Sequence, residues 1–217
     1  MPRKRTTLQQ LKDSLKKAAQ ENDVVLQAEL KQILVTLQQS WHHAFKVQAD
    51  LLRNATSHIT KHFIADIFGA AKDSKVLKPL MKAALAPENE NHNSVYFWNC
   101  SKYDCTAHLK FFVKFLLDSE DPGESMVACM TVIEEMQGPF NYQVVTKVIP
   151  RLLRRIRSHL EAELQKQDEL FTIQAAYALL DKYFSQVDAI WKNEHPVFEN
   201  PIQIVNVARK KLRLRSK

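Results

Sequence analysis

The sequence predicts an all-α protein: a multi-helix bundle or small α-solenoid of seven to nine helices. Two observations predict it. Apolar residues recur at steps of three and four along most of the chain, the repeat of one helix face. Glycine is scarce: Gly69, Gly123 and Gly138 are the only three in 217 residues, where average usage gives about 15. Hairpin turns, P-loops and dinucleotide-binding turns all need glycine for their backbone angles or for close approach to a phosphate. No G-x-G-x-x-G and no G-K-[ST] occurs, which argues against a Rossmann or P-loop enzyme.

The elements follow in order. Thr6 or Thr7 caps a first helix whose face carries Leu8, Leu11, Leu15 and Ala18. Asn22 and Asp23 are caps for the next helical region. Its apolar positions run from Leu26 through Leu30, Ile33, Leu37 and Trp41 to Ile59 and Phe63. The pattern fits one helix of about 40 residues or two joined near Asn54–Ser57, and a mean helix length of about 11–12 residues favours the break. Gly69 is expected to end this region in the left-handed conformation. A shorter helix covers about 72–86, with Pro79 marking its start or a kink. Residues 87–94 are polar, lack periodicity and read as a loop. Val95-Tyr96-Phe97-Trp98 fits a short strand or a helix start. Helices follow over Thr106–Asp118 and around Met126–Met136, separated by the turn Asp121-Pro122-Gly123 and ended by Gly138-Pro139. A long helix spans about 141–166 with Pro150 inside it, and another carries Leu170 to Trp191. His195-Pro196 breaks that helix, and a last one starts at Pro201.

The organisation read from this is a basic arm at 1–5, a long-helix half at 6–86, the polar loop at 87–94, a second helical half at 95–208 and a basic tail at 209–217. The formal charge of +7 is concentrated in the arm and the tail. The arm holds Arg3, Lys4 and Arg5; the tail holds Arg209, Lys210, Lys211, Arg213, Arg215 and Lys217. The remaining 22 basic and 24 acidic residues leave the body at −2. Cationic ends on a near-neutral body point to nuclear import or a nucleic-acid tether, with a cytoplasmic protein as the alternative. Cys100, Cys105 and Cys129 are an odd, sparse set without a signal-peptide core before them, which reads as reduced thiols. No run approaches the roughly 18 consecutive apolar residues of a membrane-spanning helix, so no membrane partner is expected.

Few side-chain groupings suggest chemistry. His58 and His62 share a helix face, but Ile59 stands where a zincin needs an acid, and no third ligand is evident in the sequence. Cys100, Cys105 and His108, with His92 nearby, are the best metal candidates; burial as plain thiols is the stronger reading. A Cys105–His108 nucleophile pair lacks an orienting group. No cofactor, metal or catalytic residue is therefore assigned. Tyr96, Phe97, Trp98 and Tyr103 read as core rather than as a base-stacking platform, and Trp41 and Trp191 also read as core. Arg151, Arg154, Arg155 and Arg157 form a basic patch suited to phosphates or an acidic partner. The functional expectation is a non-enzymatic helical adaptor or regulatory subunit of a nuclear complex, taking a protein partner in an apolar groove between helices. The alternatives are a nucleic-acid-binding protein using the arginine patch and basic ends, and a carrier with an apolar cavity between 106–118 and 170–191.

Overall fold

The structure, a computed structural model, describes residues 7–39, 41–119, 123–159 and 167–194. Among them are ten α-helices, three short 3-10 turns and no strand, so the helix number exceeds the seven to nine expected. The helices pack as a bundle. The surplus arises where the long apolar pattern of residues 24–70 breaks twice rather than once. It forms α2 (Val24–Leu37), α3 (Trp41–Asn54) and α4 (His58–Ala70) after α1 (Thr7–Gln20). The break at 55–57 is the one the sequence suggests; the one after Leu37 is additional. Asp23 caps α2 as expected, its carboxylate accepting from Leu26 N–H at 2.8 Å.

Gly69 does not end α4 in the left-handed conformation. It lies inside the helix, and Lys72 just beyond takes positive φ instead. Helix α5 (Leu77–Ala84) follows a 3-10 turn at Ser74–Val76. Pro79 stands in its first turn, where a missing N–H costs no helical hydrogen bond. The expected loop at 87–94 is instead a 3-10 turn, Pro87–His92, running into α6 (Ser94–Cys100). Val95 to Trp98 are therefore helical, which removes the strand alternative. Tyr96, Phe97 and Cys100 of α6 are fully buried, as a helix apolar on nearly every side requires.

A 3-10 turn at Thr106–His108 leads into α7 (Leu109–Asp118), then α8 (Glu124–Glu135), α9 (Tyr142–His159) and α10 (Gln167–Glu194). Gly138, with φ of 82°, turns the chain after α8. Helix α9 runs through Pro150. The turn residues Asp121 and Pro122, the expected extension of α9 to 166, the break at His195-Pro196, the helix after Pro201 and both basic ends lie outside the described residues.

Neighbours in sequence pack on each other from α1 to α4. Helix α6 sits against α4, α5 and α8; α8 in turn packs on α7 and α10, and α10 on α9. One buried apolar cluster runs from Leu11 in α1 to Leu179 in α10. Helix α10 buries Phe171, Ala175, Ala176 and Leu179 against the bundle but leaves Leu170, Tyr177, Phe184 and Val187 exposed. No described helix is long and apolar enough to cross a membrane.

Candidate functional site

A cleft opens between helices α3 and α5. On α3, Phe45, Ala49 and Leu52 fall at steps of four and three, so they line one side with apolar surface. On the other side Leu77, Pro79 and Ala83 of α5 complete the floor, with Ala86 and Ala107 at its ends. The resulting cavity has a volume of about 820 Å³, within the span typical of binding sites.

The rim is charged and asymmetric. Lys78 and Lys82 stand four apart on the α5 edge, Lys75 lines the same rim from the 3-10 turn before it, and Arg53 stands at the end of the α3 wall. All four are exposed. Arg53 approaches Asp50 at 3.9 Å, whereas Lys78 and Lys82 enter no ion pair among the described residues. Two carboxylates lie on the same rim, Glu88 and Asp104. Glu88 has its pKa lowered by its backbone N–H and by the Lys61 ammonium, against the opposing cost of burial. At Asp104 burial pushes the carboxyl up, but hydrogen bonds from the Thr106 side chain and backbone and from Gln137 N–H outweigh it and lower the pKa. Both are ionised at neutral pH, so the four rim cations outnumber them.

A buried lysine holds one wall in place. Lys61 of α4 is 3% exposed and donates to Asn89 Oδ1 at 3.1 Å and to Glu88 Oε1 at 3.4 Å. Asn89, itself buried, donates to Ala83 C=O at 2.9 Å. The 3-10 turn that carries Glu88 and Asn89 is thereby fastened to α4 and α5.

Beside that turn the structure gathers His58, His62 and His92, with ring centroids 4.1, 5.5 and 6.4 Å apart. Sequence reasoning missed the third member, because His92 lies thirty residues after His62 and reaches it only through the path of the 3-10 turn. Burial, then the neighbouring imidazoles, lower the pKa of His58 and His62, so both favour the neutral form. Their Nδ1 and Nε2 atoms respectively are buried and have no hydrogen-bond partner. Among the described residues no group of three or more His, Cys, Asp or Glu side chains is arranged to hold a metal ion.

The other sequence candidates disperse. Cys100 and Cys105 are fully buried, and Cys105 Sγ–H donates to Cys100 C=O at 3.4 Å. Burial raises the Cys100 pKa and pushes that of Cys105 up to about 12, so neither thiol is a nucleophile at neutral pH. His108 lines the cleft instead of joining them. Tyr96 and Phe97 lie in the core, while Trp98 is half-buried with Nε1–H donating to Glu124 at 3.0 Å. Trp41 is not core: it is 37% exposed, and its indole N–H donates to Asp73 at 3.3 Å. Its apolar step along the helix continues a buried face, but the end of α3 places it at the surface. The Trp191 side chain lies outside the described residues. Arg151 and Arg154 are exposed on α9, and Arg154 Nε–H donates to Pro150 C=O at 3.2 Å. The side chains of Arg155 and Arg157 lie outside the described residues, as do Arg3, Lys4, Arg5, Arg209, Lys210, Lys211, Arg213 and Arg215. The 820 Å³ cleft between α3 and α5 takes in Ala107 and His108 from the 106–118 segment named for a carrier, and no residue of 170–191 lines it.

Comparison of the chain with protein-family models, with curated proteins and with solved structures finds no match in any of the three.

Proposed function

We propose that this protein is a non-enzymatic helical interaction module whose α3–α5 cleft receives an amphipathic helix of a protein partner. The observation that carries the reading is the cleft itself: an apolar floor bordered by Lys75, Lys78 and Lys82. An apolar groove between helices accepts the apolar face of a guest helix at the same three- and four-residue spacing. These lysines select a guest with Asp or Glu along one edge, since rim charges govern encounter rate and partner choice more than affinity. The basic arm and tail serve localisation in the nucleus, where the module acts as an adaptor or regulatory subunit.

The test is selection of displayed amphipathic helical peptides against the full chain. Enriched peptides should carry acidic residues beside an apolar stripe, and their affinity should fall at least tenfold when Lys78→Glu and Lys82→Glu are combined. Peptides that bind the charge-reversed protein equally well overturn the assignment of the cleft. Deletion of residues 209–217 should release a tagged protein from the nucleus; unchanged localisation removes that part of the reading.

The exposure of Arg151 and Arg154 on one side of α9 favours a second reading, contact with nucleic acid. It requires oligonucleotide binding that weakens steeply with salt and drops on combining Arg151→Glu with Arg154→Glu. Binding unaffected by either change removes it.

A further inference from the structure

The 3-10 turn Pro87–His92 belongs to two sites at once. Its Glu88 and Asn89 line the α3–α5 cleft, and its last residue, His92, completes the imidazole cluster on α4. The turn buries only Asn89, whereas α4 buries Phe63, Ile64, Ala65, Ile67 and Phe68 in the apolar cluster of the bundle. What fastens the turn is polar and confined to one spot: Lys61 donates to Glu88 and Asn89, and Asn89 donates to Ala83 C=O. A repulsion between α4 and the turn therefore displaces the turn and leaves the helix in place.

Protons supply that repulsion. The His58 and His92 rings lie 4.1 Å apart, and His62 lies 5.5 Å from His92. An imidazolium donates from both of its nitrogens. His58 Nδ1 and His62 Nε2 are buried without a hydrogen-bond partner, so neither ring, once charged, can place both donors. The Lys61 ammonium already opposes a charge on His58. The opposing groups are fewer: Glu88 from the turn favours a cation at His58, and Asp66 favours one at His62. From α6 comes the Tyr96 ring, 6.1 Å from His62, whose hydroxyl burial keeps neutral. From α2 and α3, Glu29 is taken up by Thr56 N–H at 3.0 Å and Asp50 by Arg53 at 3.9 Å. Lys78 and Lys82 of α5 line the cleft, and Glu90 of the turn lines a separate cavity with Phe111 and Lys114. His58, His62, His92 and Lys61, all charged, thus outnumber Glu88 and Asp66.

We propose that His58, His62 and His92 form a proton-operated latch. Neutral, they let the turn lie against α4 and complete the cleft wall; charged, they drive the turn off, and Glu88 and Asn89 leave the cleft with it, so that its guest is released. The release of a guest rests on the cleft as a helix-binding site; the movement of the turn does not.

Amide hydrogen exchange of the full chain, corrected for the chemical rate, reads the turn directly. Peptides covering 87–92 should lose protection about tenfold or more between about pH 7.5 and about pH 5, on either side of the ordinary imidazole value, while those covering α8 hold theirs. Combining His58→Gln, His62→Gln and His92→Gln should make the protection of the turn the same at both pH values. His92→Gln alone, at an exposed position, should shrink the difference. A helical peptide selected against the cleft at neutral pH should bind the unaltered chain at least tenfold more weakly in acid, and the triple variant equally well at both. The peptide's own carboxylates stay ionised over this range, and a charge gained by His108 in the cleft would tighten an acidic guest, against the expected loss. A turn whose protection ignores pH, changes only together with α8, or still responds without the three histidines overturns the proposal. So does a turn that opens in acid while guest affinity holds. Should no peptide bind at either pH, the cleft reading fails, and the exchange of the turn still decides the latch.

Discussion

Gly69 of α4 meets the carboxamide of Asn99 of α6 so closely that a side chain at residue 69 would overlap it. A Cβ built there falls 2.8 Å from Asn99 Cγ and 2.8 Å from Lys102 Nζ, and closer still to Asn99 Oδ1. Asn99 has no room to yield. Its Nδ2 donates to Asp66 at 3.0 Å and to Val95 C=O at 2.9 Å, while its Oδ1 accepts from Lys102 at 2.6 Å. The glycine is thus required by the approach of two helices and not by a turn. Gly69→Ala, ordinarily favourable inside a helix, is expected to destabilise the protein by about 1–3 kcal/mol, a fall in Tm of roughly 5 °C at this chain length. A melting curve superimposable on that of the unaltered protein refutes the contact.

Gln48 of α3 should respond in the opposite sense. It is fully buried, and neither its Nε2 nor its Oε1 has a hydrogen-bond partner among the described residues. A buried amide without partners costs on the order of 1–3 kcal/mol, and replacing it with an apolar side chain of similar length removes that cost. Gln48→Met is expected to raise the midpoint of urea unfolding without changing its slope. A lowered midpoint means that the amide is satisfied in solution.

The histidine cluster sets a pH dependence. His58 and His62 face each other, His92, the Lys61 ammonium, the Asp66 and Glu88 carboxylates and the Tyr96 ring. Their folded-state pKa values lie below the ordinary 6.5, so the unfolded chain takes up protons first as pH falls. The stability they contribute is complete above 6.5 and is lost as pH drops through the lowered values. Glu88 and Asp104, also lowered, lose theirs only in the carboxylate range below about 4.5. Urea midpoints should therefore decline as pH falls below 6.5, and His58→Gln with His62→Gln should flatten that decline. A double variant with the slope of the parent assigns the pH response elsewhere.

Much of the helical pattern is legible in residue spacing, because each helix buries one stripe and the stripe repeats locally. Leu11 and Ala18, Leu26 and Leu30, and Phe112 and Leu116 all mark faces that are buried in the structure. The missed break after Leu37 has no proline or glycine to announce it, and the apolar step from Leu37 to Trp41 continues the pattern. The 3-10 turn at 87–92 escaped for a different reason: its stability comes from Asn89 reaching Ala83 and Lys61, a tertiary arrangement invisible to periodicity. The cleft was equally hidden. Its walls come from residues 45 to 108, and only the packing of α3 against α5 makes the lysines border an apolar floor. The arginine patch was easy to see because its members are close in sequence, and for the same reason it says little about three-dimensional convergence.

Cys100, Cys105 and Cys129 lie deep in the protein, and burial keeps each of them protonated. In consequence the native chain carries its own concealed reporter of breathing motions. An alkylating reagent can modify these positions only during excursions that admit solvent to the interior, so the pace of labelling measures how often the centre opens. The same concealment lets an introduced surface cysteine take a dye or a spin label without first stripping the molecule of its natural sulfur.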